Sequence, residues 1–319
     1  MSVLATRDDL LKGVGEKIDT TNGVLNEETM AKFSKGVYPP LFHCYRYKGM
    51  FIFKFFKGFK WLYVIIDDRI PCIIDGLPVF GSCLEPNELW VPLIEKAYAK
   101  LHTCYQALIS GFADDALSDL TGFVAEKVLM HSKKTEAFPH ESNGTSDEFW
   151  EYLKGRRLEK SLMGCSRSSA HVESQITLED GRKSGVLAGH AYGLMDVFEL
   201  YDEDSVKDRK NHRILRVRNP WGNTEYQLEW SDNSAEAEKH LDKITNYIGG
   251  LLDDDEKFEF PADDGTFLMN YKMFRTIFNN LFVCIDFPED WSGIRYAGTW
   301  DETCSAGLPN PFNDQEKRK

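Results

Sequence analysis

His190 stands inside an apolar stretch, GVLAGHAYGLMDVFEL (185–200), and Asn219 follows 29 residues later in RVRNPWG (216–222). A histidine that acts as a general base needs an acceptor on its second ring nitrogen, so that the ring keeps one tautomer and faces the group it deprotonates. The side-chain oxygen of an asparagine is such an acceptor. Both segments have the composition of β-strands, and two adjacent antiparallel strands would bring His190 and Asn219 together.

Each of these residues also has a purely structural interpretation. His190 can be a hydrogen-bonded histidine of the core, and Asn219 can be a turn former ahead of Pro220. The order histidine then asparagine on consecutive strands is nevertheless typical of papain-type cysteine proteases, whose cysteine lies far upstream at the N-terminus of a helix. Both interpretations stay open at this point.

The seven cysteines are odd in number and include no CxxC pair, in a chain of 319 residues. This usage favours a reducing compartment and argues against a disulfide framework or a zinc ribbon. Cys165 lies in the strand-like MGCS, and helical spacing places Cys104 on the core face of a helix that begins at Asn87. No cysteine is predicted to open a helix, where the helix dipole lowers the pKa of a thiol. The sequence therefore predicts that His190 has no nucleophile within this chain.

The composition is that of an ordered globular protein, with 42% hydrophobic and 13% aromatic residues. The 38 basic and 51 acidic residues give a formal net charge of −13 without a basic block, which argues against a nucleic-acid partner and favours cations, metal ions included. The most apolar segment, residues 50–66, carries three lysines and is too short to cross a bilayer. Asp8 and Asp9 interrupt the N-terminus before a secretory signal can form. We therefore expect no transmembrane segment and a cytoplasmic location.

The pattern of the chain changes near Gly122. Before it, residues 2–12 and the segment from Asn87 have helical spacing, with a hairpin predicted over residues 51–66 between them. After it, short apolar runs predict an antiparallel sheet, with one helix at NYKMFRTIFNN (270–280). We expect an α+β fold with a helical first lobe and an antiparallel β second lobe. The predicted domains are residues 1–122, residues 123–288, and residues 289–319 as the incomplete start of a further domain.

A longer set of motifs resembles the catalytic core of the calpain cysteine proteases. GHAYG and RVRNPWG are similar to the family's histidine and asparagine motifs, and WVPLIEKAYAK is similar to one of its helices. VIIDDRIP, LTGF, SLMGCS and EWSD occur in the family's order between and around them, and the resemblance runs from Met1 to about Asp286. It implies a papain-like, two-lobe protease core followed by the opening strand of a β-sandwich-like domain. In that core His190 is the general base, Asn219 is its orienting partner, and Trp221 borders the cleft.

The resemblance also implies a nucleophile that this chain does not contain. Calpains place the cysteine in a Gly-x-Cys-Trp motif, at the start of a helix whose remainder resembles SVLATRDDLL (2–11). In that alignment the cysteine lies about six residues before Met1, and the glutamine of the oxyanion hole lies further upstream. We therefore expect the first lobe to be incomplete at its N-terminus and the chain to be proteolytically inactive by itself.

The resemblance further implies one calcium site in each lobe, built from carboxylates and backbone oxygens. The ligand positions of the second-lobe site are matched by Glu225, Asp232, Asp264 and the backbone oxygen of Ala262. Thr266 stands where the family has another acid, which lowers the charge of the site. In the first lobe Glu88 matches a ligand, whereas the other ligands would lie upstream of Met1, so this site is expected to be incomplete. Without the resemblance, these acids are ordinary surface carboxylates.

Two functions of different classes remain open, together with the alternative that the chain is a truncated gene fragment. The first is the core of a calcium-dependent intracellular cysteine endopeptidase that acts on protein substrates. The second is a non-catalytic calpain-like protein that keeps the fold for calcium-responsive binding or regulation of protein partners. The retention of both His190 and Asn219 argues against the second function, since a binding module does not need a base with an orienting partner. A truncated gene fragment would explain the missing nucleophile without either function.

Overall fold

The computed structural model describes residues 4–5, 36–58, 60–83, 85, 87–130, 147–169, 173–202, 211–222, 224–251 and 264–285. The chain divides into two compact units, Met1–Asp286 and Phe287–Lys319, and every described residue belongs to the first unit. The further domain predicted over residues 289–319 therefore lies outside the described residues. Ala262, predicted as a calcium ligand, also lies outside them.

A three-stranded antiparallel sheet with the strand order β1-β3-β2 forms the first part of the described chain. Its strands are β1 (Leu4–Ala5), β2 (Met50–Lys57) and β3 (Lys60–Asp67). The predicted hairpin is confirmed, since β2 and β3 pair along their full length from Met50–Asp67 to Lys57–Lys60. The core on this sheet is formed by Phe53, Phe55, Val64, Ile66, Leu93 and Ala97.

The helix predicted over residues 2–12 is wrong where the structure describes it. Leu4 and Ala5 are paired as a strand with Val64 and Tyr63 of β3. The open edge of β3 offers backbone hydrogen-bonding groups to this segment, and a local helical pattern cannot anticipate such a distant partner. The other residues of the predicted helix lie outside the described ranges.

Within the described ranges, two α-helices and two 3₁₀ helices accompany this sheet. They are a 3₁₀ helix over Pro40–Lys48, helix α1 (Trp90–Leu101), a 3₁₀ helix over Tyr105–Leu108, and helix α2 (Ala113–Thr121). Thr103 adopts a left-handed conformation, with φ 88°. This conformation breaks the helix that the sequence predicts to continue through Cys104, because a non-glycine residue at positive φ cannot belong to a right-handed helix. Cys104 consequently leaves the predicted core face and is exposed.

A six-stranded antiparallel sheet with the order β10-β9-β8-β5-β11-β4 dominates the rest of the described chain. Its strands are β4 (Val124–Leu129), β5 (Leu162–Ser166), β8 (Ala191–Tyr201), β9 (Asn211–Arg218), β10 (Thr266–Asn270) and β11 (Asn280–Ile285). Strands β6 (Ser174–Thr177) and β7 (Lys183–Ala188) form a separate hairpin. The helices are α3 (Asp147–Leu158), α4 (Ala235–Lys239), α5 (Leu241–Gly249) and α6 (Tyr271–Ile277). The fold is α+β, as predicted.

Helix α2 contacts both sheets. Its Asp119 accepts a hydrogen bond from Lys57 of β2, with Nζ and Oδ2 2.6 Å apart. Its Thr121 hydroxyl lies 3.2 Å from the Cys284 thiol of β11. The helix ends at Gly122, where φ is 74° and a Cβ would lie 2.6 Å from the Trp61 ring. Two lobes divided at this glycine remain a prediction.

No helix within the described ranges has both the length and the apolar composition needed to span a bilayer.

Candidate active site

His190 lies in the short connection between β7 and β8, so the apolar stretch that contains it is two strands rather than one. The preceding Gly189 has φ 77°, and its N–H donates to the carbonyl of Arg167 at 2.8 Å. A Cβ at Gly189 would lie 3.2 Å from Cβ of Ser169. Glycine therefore allows both the left-handed turn and the close approach of the neighbouring segment. This turn holds His190, which is 8% exposed, at the end of the sheet.

Asn219 follows the last residue of β9 and is completely buried. Its amide orientation is fixed by two bonds: Nδ2 donates to the carbonyl of Thr224 at 2.8 Å, and Oδ1 accepts from the N–H of Trp221 at 3.0 Å. The Nε2 atom of His190 lies 2.9 Å from the same Oδ1. Because Oδ1 only accepts, Nε2 carries the proton of this hydrogen bond. The predicted proximity of His190 and Asn219 is confirmed, and the antiparallel pairing of Gly193 with Arg218 accounts for it.

The other ring nitrogen of His190 faces an acid that the sequence did not indicate. Nδ1 lies 3.2 Å from Oε1 of Glu173, whose side chain is partly exposed. Both ring nitrogens therefore face oxygen acceptors, an arrangement that a doubly protonated imidazolium satisfies and a neutral imidazole does not. Glu173 lies 17 residues before His190 in a polar segment, and no local pattern distinguishes it from the other surface acids.

Two aromatic rings enclose the histidine. The ring centroids of His190 and Trp221 are 4.5 Å apart, and Trp221 remains 52% exposed, so it forms part of the rim of the site. Tyr192 packs edge-on at 5.0 Å, and its hydroxyl accepts from the N–H of Leu187 at 2.8 Å. Burial is the largest cause that raises the pKa of Tyr192 to about 12. The tyrosine therefore stays neutral and acts as a wall of the site.

The described thiols differ in their environment. Cys165 is completely buried in β5, and burial raises the pKa of its thiol well above the ordinary value. Cys104 is exposed and is the N-cap residue of the 3₁₀ helix over Tyr105–Leu108. Hydrogen bonds from the Thr103 hydroxyl and then from the Ala107 N–H lower the pKa of the Cys104 thiol. The prediction that no cysteine opens a helix is therefore wrong for Cys104.

Neither thiol is joined to the histidine. Among the described residues, the hydrogen bonds, ion pairs and ring contacts of His190 are made with Glu173, Tyr192, Asn219 and Trp221. No cysteine is among these partners.

Two of the predicted second-lobe calcium ligands, Glu225 and Asp232, line the same polar pocket. The pocket is lined by Thr224, Glu225, Tyr226, Gln227, Ser231, Asp232 and Asn233. Asp232 is 8% exposed, which is unusual for a carboxylate on a loop. The structure thus brings two anionic side chains to one concave and hydrophilic surface.

Gly265 connects this pocket to Asn219. Its N–H donates to Oε1 of Glu225 at 2.9 Å, and its carbonyl accepts from the N–H of Asn219 at 2.8 Å. Its φ is 82°, and a Cβ there would lie 2.6 Å from Cα of Gly222 and 2.7 Å from the carbonyl oxygen of Asn219. Only glycine fits this position. The turn after β9 and the turn before β10 are therefore locked together at this residue.

The remaining predicted ligands are placed less favourably. Asp264 Oδ1 accepts from the N–H of Thr266 at 2.7 Å, and its other oxygen lies 3.7 Å from the Arg218 guanidinium, which neutralises part of its charge. Glu88 is exposed two residues before α1, where its carboxylate accepts from the Trp90 indole at 3.2 Å.

A different set of ligand-type residues was missed by the sequence. Within the described ranges, one group of at least three His, Cys, Asp or Glu side chains has all its ligand atoms within 4.8 Å of one another: Asp202, His212 and His240. The three residues come from three separate elements, so their spacing in the chain carries no motif.

Comparison with known proteins places these observations in a family. A family model described as "Calpain family cysteine protease" matches residues 25–285. The calpain-type cysteine protease ADL1 of Oryza sativa subsp. japonica is 31% identical over 277 residues, covering 85% of this chain and 11% of that protein. The calpain-type cysteine protease DEK1 of Arabidopsis thaliana is 32% identical over 262 residues, covering 80% of this chain and 10% of that protein. Human calpain-9 is 32% identical over 279 residues, covering 84% of this chain and 36% of that protein.

The chain thus spans between a tenth and about a third of the length of these relatives. The family model covers most of the described residues and includes both His190 and Asn219. This chain belongs to the calpain family of cysteine proteases.

Proposed function

We propose that this chain is the part of a calcium-dependent, cytoplasmic cysteine endopeptidase that supplies the catalytic base and the residue that positions it. The observation that carries the proposal is the 2.9 Å hydrogen bond between Nε2 of His190 and Oδ1 of Asn219. Asn219 is itself fixed by its bonds to Thr224, Trp221 and Gly265, so the ring has one orientation. Such a preorganised ring is what proton transfer during acyl transfer requires.

In this reaction the base acts through Nδ1, the ring nitrogen that Asn219 does not hold. His190 removes the proton of a cysteine thiol, and the thiolate sulfur forms a bond to the carbonyl carbon of a peptide. The carbon–nitrogen bond then breaks as His190 returns the proton to the departing amine, and water hydrolyses the thioester. Between these two proton transfers His190 is an imidazolium, and Asn219 holds it in place. Trp221 limits the access of water to one side of the ring.

The chain alone is proposed to be inactive, because the position opposite Nδ1 holds a carboxylate and not a thiol. The Cys104 thiol accepts hydrogen bonds from Thr103 and Ala107 and is not bonded to His190. The cysteine of a working site would then come from residues upstream of Met1, as the calpain resemblance implies.

Calcium dependence rests on the donor set beside Asn219. Glu225 and Asp232 supply anionic oxygens to one pocket, and Asp264 is joined to Glu225 through Gly265. Hard oxygen donors of this kind suit calcium, whereas the neighbouring Arg218 offsets part of the negative charge and Thr266 adds none. Bound calcium would supply a positive charge that draws these carboxylates together. Gly265, which bonds to the proposed calcium ligand Glu225, also bonds to the backbone N–H of Asn219. The proposed calcium site is therefore connected to Asn219 through this one residue.

The test begins with the coding DNA immediately upstream of Met1. If an in-frame Gly-x-Cys-Trp run is present, the longer protein is expressed and assayed with a fluorogenic peptide, with and without calcium. Turnover that needs calcium, and that is lost in His190→Ala, supports the proposal, and the 319-residue chain should show none. Turnover that survives His190→Ala would contradict the role of the base.

The matched control is His102→Gln. His102 is also a histidine paired with an acid, since Nε2 lies 3.3 Å from Oδ2 of Asp119, but it caps the C-terminus of α1 and is not bonded to His190 or Asn219. This variant should keep the activity of the longer protein.

A non-catalytic, calcium-responsive binding protein is the second candidate. The observation that favours it is the Glu173 carboxylate at Nδ1 of His190, which occupies the place of a nucleophile. A stop codon immediately upstream of Met1, together with calcium binding by the 319-residue chain, would support this candidate over the peptidase. Calorimetry that detects no calcium binding at millimolar concentrations would remove the calcium site from both candidates.

A further inference from the structure

The strands that hold His190 and Asn219 carry a second polar cluster at their other end. Asp202 follows β8, His212 is the second residue of β9, and His240 lies between α4 and α5. Strand β8 has 11 residues, so about 35 Å separates this cluster from the candidate active site at about 3.3 Å per residue. The cluster therefore plays no direct part in the chemistry proposed for His190.

The hydrogen bonds of His240 determine which ring nitrogen carries a proton and which directs a lone pair towards Asp202. Nδ1 lies 2.9 Å from the carbonyl oxygen of Glu236, which can only accept, so Nδ1 carries a proton. In a neutral ring Nε2 is then unprotonated, yet it lies 2.8 Å from Oδ1 of Asp202. A lone pair and a carboxylate oxygen repel each other at this distance unless a cation lies between them. The contact requires a proton or a metal ion between the two atoms.

The spacing of the ligand atoms fits a metal ion. Asp202 Oδ1 lies 2.8 Å from His240 Nε2, and Asp202 Oδ2 lies 3.2 Å from His212 Nε2. Ligands about 2.0–2.1 Å from a tetrahedral zinc ion are about 3.3 Å from one another. Small side-chain rotations would therefore convert the observed spacing into a coordination shell. The Nδ1 bond of His240 to a backbone carbonyl is also the outer contact that metal-binding histidines use to fix their tautomer.

The surroundings hold both rings in place. The ring of Trp230 lies 4.9 Å from that of His212 and 5.0 Å from that of His240, and Trp230 is buried. Its φ is 71°, a left-handed conformation that a tryptophan adopts only where the surrounding structure fixes it. Lys239 Nζ lies 3.1 Å from Asp202 Oδ1 on a side chain that is 59% exposed. Because the Lys239 side chain is exposed, its ammonium group can move into water when another cation binds to the carboxylate.

We propose that Asp202, His212 and His240 bind one zinc ion, with water as a further ligand. Two imidazoles and one carboxylate are a ligand set that zinc accepts and that calcium, which prefers oxygen, does not favour. The ion would tie the end of β8 and the start of β9 to the junction of α4 and α5, and so stabilise this edge of the sheet.

Zinc and cobalt binding to the untagged 319-residue chain, stripped of metal with a chelator, tests the proposal. Calorimetry should show one zinc ion per chain with a dissociation constant in the micromolar range or tighter. Co²⁺ should give the intense visible absorption of a four-coordinate site, and zinc should abolish it. His240→Gln should weaken zinc binding by about 100-fold or more, because a ligand is lost. Absence of stoichiometric binding by the unaltered chain would overturn the proposal and leave the cluster as a protonated ion network.

Two variants separate ligand loss from general damage. His102→Gln removes another histidine bonded to an aspartate and should leave zinc affinity unchanged, so an equal loss in this variant would contradict the assignment. Lys239→Met removes the competing cation without touching the core, and it should tighten zinc binding several-fold. Unchanged or weaker binding in a folded Lys239→Met protein would count against Asp202 as a ligand.

Discussion

Both ends of the β8–β9 pair present a histidine whose ring nitrogens face one neutral oxygen acceptor and one carboxylate, but the two carboxylates differ in how many cationic groups share them. At one end the ring of His190 is held by the neutral amide of Asn219, and a carboxylate approaches its other nitrogen only from a partly exposed position. At the other end His212 and His240 converge on the single carboxylate of Asp202.

This difference fits the two proposals, which are proton transfer at His190 and cation binding at Asp202. The neutral amide of Asn219 orients the ring of His190 without adding a second charge beside it. At the other end, hydrogen bonds from His240, then His212 and Lys239, hold the pKa of the Asp202 carboxyl well below its usual range. A carboxylate that stays ionised keeps a cation beside it, whether that cation is a proton on a ring, an ammonium group or a metal ion.

The largest expected effect that tests this comparison is on catalysis. In a longer protein that includes the upstream cysteine motif, His190→Ala should lower kcat by about 10⁴-fold or more, because the thiol loses its base. The measurement is peptide turnover at saturating substrate. A loss of less than about tenfold would show that His190 is not the base, and the two ends would then differ in geometry but not in chemistry.

Replacing the amide of Asn219 by a carboxylate would add a second negative charge beside His190. Asn219→Asp should lower the free energy of unfolding by about 3 kcal/mol or more, because a buried carboxylate replaces the amide and faces the Thr224 carbonyl without a proton to donate. Urea denaturation measures the change.

Asn280 provides the matched control for this substitution. It is also buried, but its Nδ2 donates to the hydroxyls of Ser166 and Ser168 at 3.0 and 2.9 Å. Hydroxyl groups can rotate and donate to a carboxylate, so Asn280→Asp should cost clearly less. Equal losses in the two variants would mean that burial alone, and not the partner of the amide, decides the effect.

Gly265 connects Asn219 to the candidate calcium ligands, and adding a methyl group at Gly265 tests this contact. Gly265→Ala should destabilise the protein by about 2–4 kcal/mol, because the added Cβ collides with Gly222 and with the Asn219 carbonyl. Gly76→Ala is the control, since Gly76 has nearly the same φ, 81°, with no atom within 4 Å of the added Cβ. Thermal or urea unfolding of both variants should give only about 1–2 kcal/mol for Gly76→Ala. Similar losses would assign the effect to backbone strain rather than to the contact at Asn219.

The parts of the fold that the sequence predicted correctly depend on local or adjacent elements. The β2–β3 hairpin follows from alternating aromatic residues, and helix α6 begins where the side chain of Asn270 caps the N–H of Met273 at 2.8 Å. His190 and Asn219 were predictable as neighbours because they lie at the ends of strands that are consecutive in the chain and therefore pair.

The parts that sequence reasoning missed depend on residues that meet only after folding. Strand β1 exists because the distant edge of β3 is available to Leu4 and Ala5. Glu173 reaches His190 from a separate segment, and Asp202 meets His240 across 38 residues. No period or motif marks such residues, because each acquires its role from the packing of elements whose contact is set by the whole fold.

The smallest expected effect concerns the thiol that the sequence placed wrongly. Cys104 should react with iodoacetamide several-fold faster than the exposed Cys72 near pH 8, because hydrogen bonds from Thr103 and Ala107 lower the pKa of the Cys104 thiol and raise its thiolate fraction. Peptide mass spectrometry of timed samples measures both rates, and the buried Cys165 should stay unlabelled. Thr103→Val removes the hydroxyl and should slow the labelling of Cys104. The rate should not change in His190→Ala; a fall in that variant would place this thiol beside His190 and contradict the proposal that the chain alone is inactive.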